Sequence, residues 1–328
     1  MSIIRAGLAG LAISGLIVAS AAAETLRFGA MPVGSGWYVA AAAMQNVIEP
    51  VLDGYTVEII PRGGGVANPM VVEQGTADIA FSNVQTAILA MNGDDLYEGK
   101  RAENIRSLVG GLNPVYIGAM VRNEFIERTG LETLDEILQS DEPIRILMKP
   151  QGSNIPPAVD AILAAYDLDR DKIRAKGGEV IQVDVSQIPA LMRDGRADIL
   201  FDTVLRGHPM ITELSLTADI SFMDMSDKAL EGLSNVGIRP SSFPEWFEGQ
   251  KGETVSGDFG TVLIAHADVP DDVAYNVTKA VIENMDKLAK DYPAYNAFVG
   301  GENAWRPENT GVPLHPGAER YYKERGWM

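Results

Sequence analysis

The chain has 328 residues, 46% of them hydrophobic, with no cysteine and a formal net charge of −18. That length fits two ordinary domains with real cores. The acidic balance disfavours nucleic acid and anionic membrane surfaces as partners, and the missing thiols exclude disulfides, thiol catalysis and a lipid anchor on cysteine.

The first element is a targeting segment. MSIIRAGLAGLAISGLIVASAAA carries one positive charge (Arg5), an apolar run from Ala6 to about Ala19, and then Ala21-Ala22-Ala23. This is the pattern of a secretory signal over residues 1–23, cleaved before Glu24. A membrane anchor is the alternative, but the apolar run is shorter than the ~20 residues a spanning helix needs. Cleavage removes Arg5 and takes the formal charge from −18 to −19. The mature protein is expected to be soluble in the periplasm.

LRFGA (Leu26–Ala30) reads as a strand that leads into PVGS (Pro32–Ser35) and an alanine-rich helix to about Val51. TVEII (Thr56–Ile60) is the next strand, and PRGGGVAN (Pro61–Asn68) joins it to a helix. Three glycines exceed what a tight turn requires. They read as a backbone nest for an anionic or polar group, or as a flexible loop. Their spacing fits neither the dinucleotide fingerprint nor a nucleotide phosphate loop. EQGTADIAFSN (Glu73–Asn83) closes this first unit, and PVYIGAMVR (Pro114–Arg122) follows as an extended apolar strand.

A second unit then repeats the first. IRILM (Ile144–Met148) leads into PQGS (Pro150–Ser153) and a helix to about Tyr166, followed by the strand VIQVDV (Val180–Val185) and RDGRADILFDT (Arg193–Thr203). Pro-x-Gly-Ser recurs 118 residues on, and Gly-x-Ala-Asp-Ile recurs 120 residues on. Two motifs repeated in order at nearly one offset indicate an internal duplication. Strands alternating with helices indicate parallel sheets covered by helices, so the chain carries two similar α/β lobes. FGTVLIAHA (Phe259–Ala267) is a further strand; an amphipathic helix spans Asp271 to Tyr292, and another helix closes the chain over Pro313–Trp327. Lobe one is placed at residues 24–115 plus 268–328, and lobe two at 116–267.

In open parallel sheets, ligands sit beyond the carboxyl ends of strands, where helix N-termini offer unpaired N–H groups. This selects Gly34 and Ser35 in lobe one, and Ser153 and Asn154 with Gly152 in lobe two, each readable also as part of an ordinary helix cap. Gly64 and Gly65 are candidates from the glycine-rich loop. Asn83 and Gln85 lie beyond the first repeat strand, and Thr203 and Arg206 beyond the second. Trp37 and Tyr38 read either as a cleft wall or as core. Arg62 and Arg206 read as a carboxylate grip or as solvated rim residues. Asp78 and Asp198 read as turn residues that bond nearby backbone. His208, His266 and His315 lack metal-ligand spacing, and no Gly-x-Ser-x-Gly elbow occurs. The reading is a binding protein rather than an enzyme, with no cofactor and no metal.

GSGWY, RGGGVAN, GTADIAFSN, PQGSN, RGHP and the ending PLHPGAERYYKERG (Pro313–Gly326) resemble the motifs of TAXI-type solute-binding proteins of tripartite ATP-independent periplasmic (TRAP) transporters. The likeness covers essentially the whole mature chain, and the C-terminal match is the most specific. The chain departs from that pattern at Met31–Val33, where the family has a serine, and at Asn83, where it has glutamine. It departs again at Arg62 and Arg206, where small polar residues are usual. The resemblance implies an α/β, two-lobed periplasmic binding protein fold of the second type, each lobe a parallel-rich sheet flanked by helices. It implies a monomer that closes on a small organic anion or amino acid, glutamate- or 2-oxoglutarate-like, and docks on TRAP membrane permease subunits. A ligand-sensing subunit of a receptor system with the same fold is the alternative.

Overall fold

Each copy of the Gly-x-Ala-Asp-Ile motif runs into a strand at the middle of its own sheet. The computed structural model describes residues 23–328, so the secretory-signal reading lies outside the described residues. The strands in chain order are β1 (Glu24–Gly29), β2 (Tyr55–Ile60), β3 (Ile79–Ser82), β4 (Ile105–Val109), β5 (Tyr116–Arg122) and β6 (Arg145–Met148). They continue as β7 (Glu179–Gln182), β8 (Ile199–Val204), β9 (Ile220–Met223), β10 (Arg239–Phe243), β11 (Thr254–Asp258) and β12 (Val262–His266). One sheet has the order β2-β1-β3-β12-β4, and the other β10-β11-β5-β8-β6-β7, with β9 also on β5.

The duplication is visible in the pairing. β1 lies between β2 and β3, parallel to both, and β6 lies between β7 and β8 in the same way. An antiparallel strand then flanks each trio, β12 on β3 and β5 on β8. The chain re-enters the first sheet at Val262, before the boundary at 267, because β12 pairs with β3 and β4. The fold is two α/β layers of sheet flanked by helices.

The repeated aspartates join strands. Asp78 accepts from the Arg27 backbone N–H (2.7 Å) and Nε (3.0 Å), which ties β1 to the start of β3. Asp198 accepts from the Arg145 backbone N–H and Nε, both at 2.9 Å, and ties β6 to β8. Sequence reading expected a bond to nearby backbone at the turn; the backbone donor and the guanidinium instead belong to one arginine, 51 residues away in one lobe and 53 in the other. Each staple sits at the amino end of its strand.

Two crossings connect the lobes, Gly110–Val115 and Phe259–Thr261, and they hold each other. Leu112 N–H donates to the Thr261 carbonyl (3.1 Å) and Phe259 N–H to the Val115 carbonyl (2.9 Å). The Asp258 carboxylate accepts from the N–H groups of Val115 and Gly260, both at 2.9 Å. Burial pushes this carboxyl above its ordinary range.

The helix expected over 271–292 is two helices, Asp271–Glu283 and Met285–Asp291. Asn284 interrupts it, with its side-chain amide donating to the Ala280 carbonyl at 2.8 Å, a local bond that competes with the helix ladder. The closing helix runs Pro316–Glu324. One apolar cluster extends through both lobes; in the first, the rings of Phe28 and Trp37 pack tilted against Phe81 with centroids 5.0 and 5.6 Å away.

The two staples differ in exposure: the side chain of Asp198 is 5% exposed and that of Asp78 is 24% exposed. Loss of the buried one leaves charged and backbone donors without an acceptor. Asp198→Ala is expected to cost ~2–3 kcal/mol and Asp78→Ala about 1 kcal/mol, read from the urea midpoints of the two variants.

Candidate functional site

The carboxyl ends of β1, β3, β6 and β8 face a common cleft, and β6 and β8 deliver its charged groups. Lys149 directly follows β6. Asp202 and Thr203 lie on β8. Lys149 is 1% exposed and Asp202 is fully buried. The Lys149 ammonium donates to Thr203 Oγ1 at 2.7 Å and pairs with Asp202 Oδ1. Asp202 Oδ1 also accepts from the Thr203 backbone N–H and from Thr203 Oγ1. Asp202 Oδ2 has no hydrogen-bond partner among the described residues. Burial pushes the Asp202 carboxyl up, and the adjacent ammonium opposes that push.

Met31, Ser35, Trp37, Asn154 and His208 complete the wall around Lys149 and Thr203. Three helices start here. Ser35 caps Gly36–Ile48, with Oγ accepting from Tyr38 N–H at 3.3 Å. Asn154 is the cap residue of Ile155–Ala165. His208 caps Pro209–Thr217, with Nδ1 accepting from Ile211 N–H at 3.3 Å. Acceptance at Nδ1 assigns the proton of neutral His208 to Nε2. Burial, and after it the Lys149 charge, holds His208 well below its ordinary range.

The cleft is shut. Its void is about 10 Å³, about one water probe sphere. Ala67 N–H of the first lobe donates to the Gly152 carbonyl of the second at 3.1 Å. Asn154 Nδ2 donates to Asn83 Oδ1 at 3.0 Å, and Asn83 Nδ2 to the Gly260 carbonyl at 2.7 Å.

The glycine loop explains how the lobes come so close. A Cβ on Gly64 (φ +153°) would lie 2.8 Å from the Gly152 carbonyl oxygen, and one on Gly65 would lie 2.2 Å from Asn83 Oδ1. The Gly64 N–H is already taken by Asn68 Oδ1 at 3.0 Å, while Asn68 Nδ2 donates to the Ala30 and Phe81 carbonyls. At Gly64 the loop is therefore an inter-lobe contact filled by Asn68, where the sequence admitted an open nest or a flexible loop.

The structure brings Ser35, Trp37, Asn154 and Thr203 onto the cavity, with Asn83 bonded to Asn154 behind it. Trp37 does both jobs weighed for it: it lines the cavity and packs on Phe81. Tyr38 is half-buried one residue further into the helix, and Gly34 is in the exposed turn before it. Ser153 donates to the Pro150 carbonyl at 3.0 Å rather than capping a helix. Gln85 lies in a separate groove against Gly237. Arg62 and Arg206 are exposed. Sequence reasoning missed Lys149, Asp202 and His208. An aspartate inside the apolar run ILFDTV was the available signal, because a buried carboxylate requires a partner.

Comparison with known proteins agrees with this architecture. Residues 28–326 match the NMT1-like family, and the chain belongs to it. MatC from Rhodopseudomonas palustris, solved with bound malate, is 14% identical, with 93% of this chain and 97% of MatC covered at a TM-score of 0.55. The periplasmic nitrate-binding protein NrtA from Synechocystis PCC 6803 is 12% identical, with 93% and 82% covered at 0.51. The periplasmic binding protein BugD is 13% identical, with 93% and 95% covered at 0.52. The chain has the two-lobed fold of periplasmic binding proteins.

Two outcomes follow from this geometry. Gly64→Ala introduces a methyl group where Gly152 must sit and strains a left-handed backbone, so it shifts the population towards an open form. Solution scattering should give a larger radius of gyration than wild type. For His208 the folded pKa lies below the unfolded one, so the unfolded chain binds more protons just below ~6.5. Stability is full above that pH and falls as pH drops through it, by up to ~1.4 kcal/mol per pH unit for one group. His208→Asn keeps a capping acceptor without the titration, and its melting temperature should fall less between neutral and mildly acidic pH.

Proposed function

We propose that this NMT1-like chain is the exported solute-binding component of a TRAP transporter. It captures a small organic anion or amino acid between its lobes and hands it to the membrane permease subunits. The observation that carries the reading is Lys149, a fully desolvated ammonium at the wall of an inter-lobe cavity. Lys149 has three donors, of which Asp202 and Thr203 engage two. The third is available to a ligand carboxylate.

The remaining wall suits that occupant. Three helix N-termini surround the cavity and favour negative charge. Asn154 and Thr203 supply polar contacts from the second lobe, Ser35 and Trp37 from the first. A ligand that touches both lobes binds the shut form better than the open one and shifts the population towards it. Asn83, Gly64 and Gly65 act on that closure, and Arg62 and Arg206 sit outside as rim residues. The motif resemblance supports the TRAP assignment. The N-terminal sequence supports export, and among the described residues no helix is long and apolar enough to cross a membrane.

A thermal-shift panel of carboxylates and amino acids tests the reading. A true ligand at ~100 times its dissociation constant adds ~2.7 kcal/mol. At ~2–4 °C per kcal/mol this is a rise of several degrees. Lys149→Met alone would strand Asp202. The double variant Lys149→Met/Asp202→Leu replaces the pair with apolar groups, a change that is often neutral for folding. That variant should fold and show no shift with any carboxylate. Retained binding would remove Lys149 from the site.

A further inference from the structure

Lys149 gives the cavity wall one positive charge, and Asp202, fully buried behind the wall, sets one negative charge in direct contact with that ammonium. Among the described residues no other member of the wall carries a charge: Met31, Ser35, Trp37, Asn154 and Thr203 are neutral, and His208 caps its helix through an unprotonated Nδ1. Arg62 and Arg206 are exposed outside the cavity. What remains to answer a ligand's charge is the set of three helix N-termini, each equivalent to roughly half a charge. Together they match one negative charge and fall short of two.

The internal duplication explains why no second cation faces the first. The offsets of 118 and 120 residues that align the two units put Met31 opposite Lys149 and Ser82 opposite Asp202. The first lobe therefore brings a thioether and a hydroxyl to the positions where the second brings the ion pair. Ser82 is itself occupied, bonded to the Asn83 carbonyl at 3.1 Å and to Thr86 Oγ1 at 3.3 Å.

Building on the reading of this cleft as a carboxylate site, we infer that it takes small monocarboxylates and rejects dicarboxylates, and that Asp202 is the residue that sets this limit. The first carboxylate of a ligand meets the free Lys149 donor. A second would be buried with no counter-charge in the field of Asp202 behind the wall, and an unpaired buried ion is expensive. Asp202 also restrains affinity for the monoanion by neutralising the lysine, and it holds the ammonium in place.

Titration calorimetry with propionate, lactate, succinate and malate on the full mature protein decides the matter. Wild type should bind one of the monocarboxylates at least about tenfold more tightly than either dicarboxylate. Asp202→Asn retains an oxygen acceptor for Lys149 and removes the charge. It should raise the affinity for the dicarboxylates relative to the monocarboxylates by about tenfold or more. Tighter binding of succinate or malate by wild type overturns the inference, whether or not the variant folds. So does an unchanged ratio in a folded Asp202→Asn. Binding of alanine or glycine with none of the four acids overturns it while leaving the cleft as a solute site. No shift with any of these compounds, or with the wider panel, overturns the proposed function itself.

Discussion

An ammonium group does not stay ionised in a protein interior without a partner, and that constraint organises the cleft. Lys149 is held by Asp202 and Thr203, which are adjacent residues of β8, so the strand beside β6 must end where it does. Any slip of β8 by one residue would turn both side chains to the opposite face of the sheet. The Arg145–Asp198 staple at the other end of the same two strands pins that register. Asp202 lies four positions beyond Asp198, roughly 13 Å at ~3.3 Å per residue. Two ion pairs, one a strand staple and one at the cleft, thus share one pair of strands at opposite ends.

The two halves of the chain are alike at the staples and unlike at the cleft. Arg27–Asp78 and Arg145–Asp198 make the same bonds, including the one from the arginine backbone. At the carboxyl ends the copies diverge to Met31 and Ser82 on one side and Lys149 and Asp202 on the other. The staples are needed by any strand trio of this kind, whatever it binds. The groups at the open ends face the cleft between the lobes, and nothing in the sheet requires them to match.

This division also sets what the sequence made legible. Two lobes, their parallel strands and the cleft between them follow from repeated motifs and period-two and helical patterns, which are local signals. Ser35, Trp37 and Asn154 were placed at the cleft because each lies where a strand gives way to a helix, and Thr203 because it lies near the carboxyl end of the repeat strand β8. Lys149 escaped notice because it reads locally as one residue of a strand end, and its partner lies 53 positions away on another strand. The break at Asn284 escaped for a related reason: a single side-chain bond to Ala280 decides it, and the apolar spacing continues past it. The glycine-rich loop was recognised as unusual, yet its role depends on a second lobe arriving opposite it.

One of the bonds that closes the cleft, from Ala67 to Gly152, uses only main-chain atoms. Such a contact asks nothing of the side chains at either position except that they be small or point away. Closure is thereby insulated from most substitutions in the cavity wall. Met31 and Thr203 can change identity while the lobes still meet along the same backbone seam. A scaffold arranged this way can vary the chemistry of its cleft through a few exchanges, with little penalty to its ability to shut.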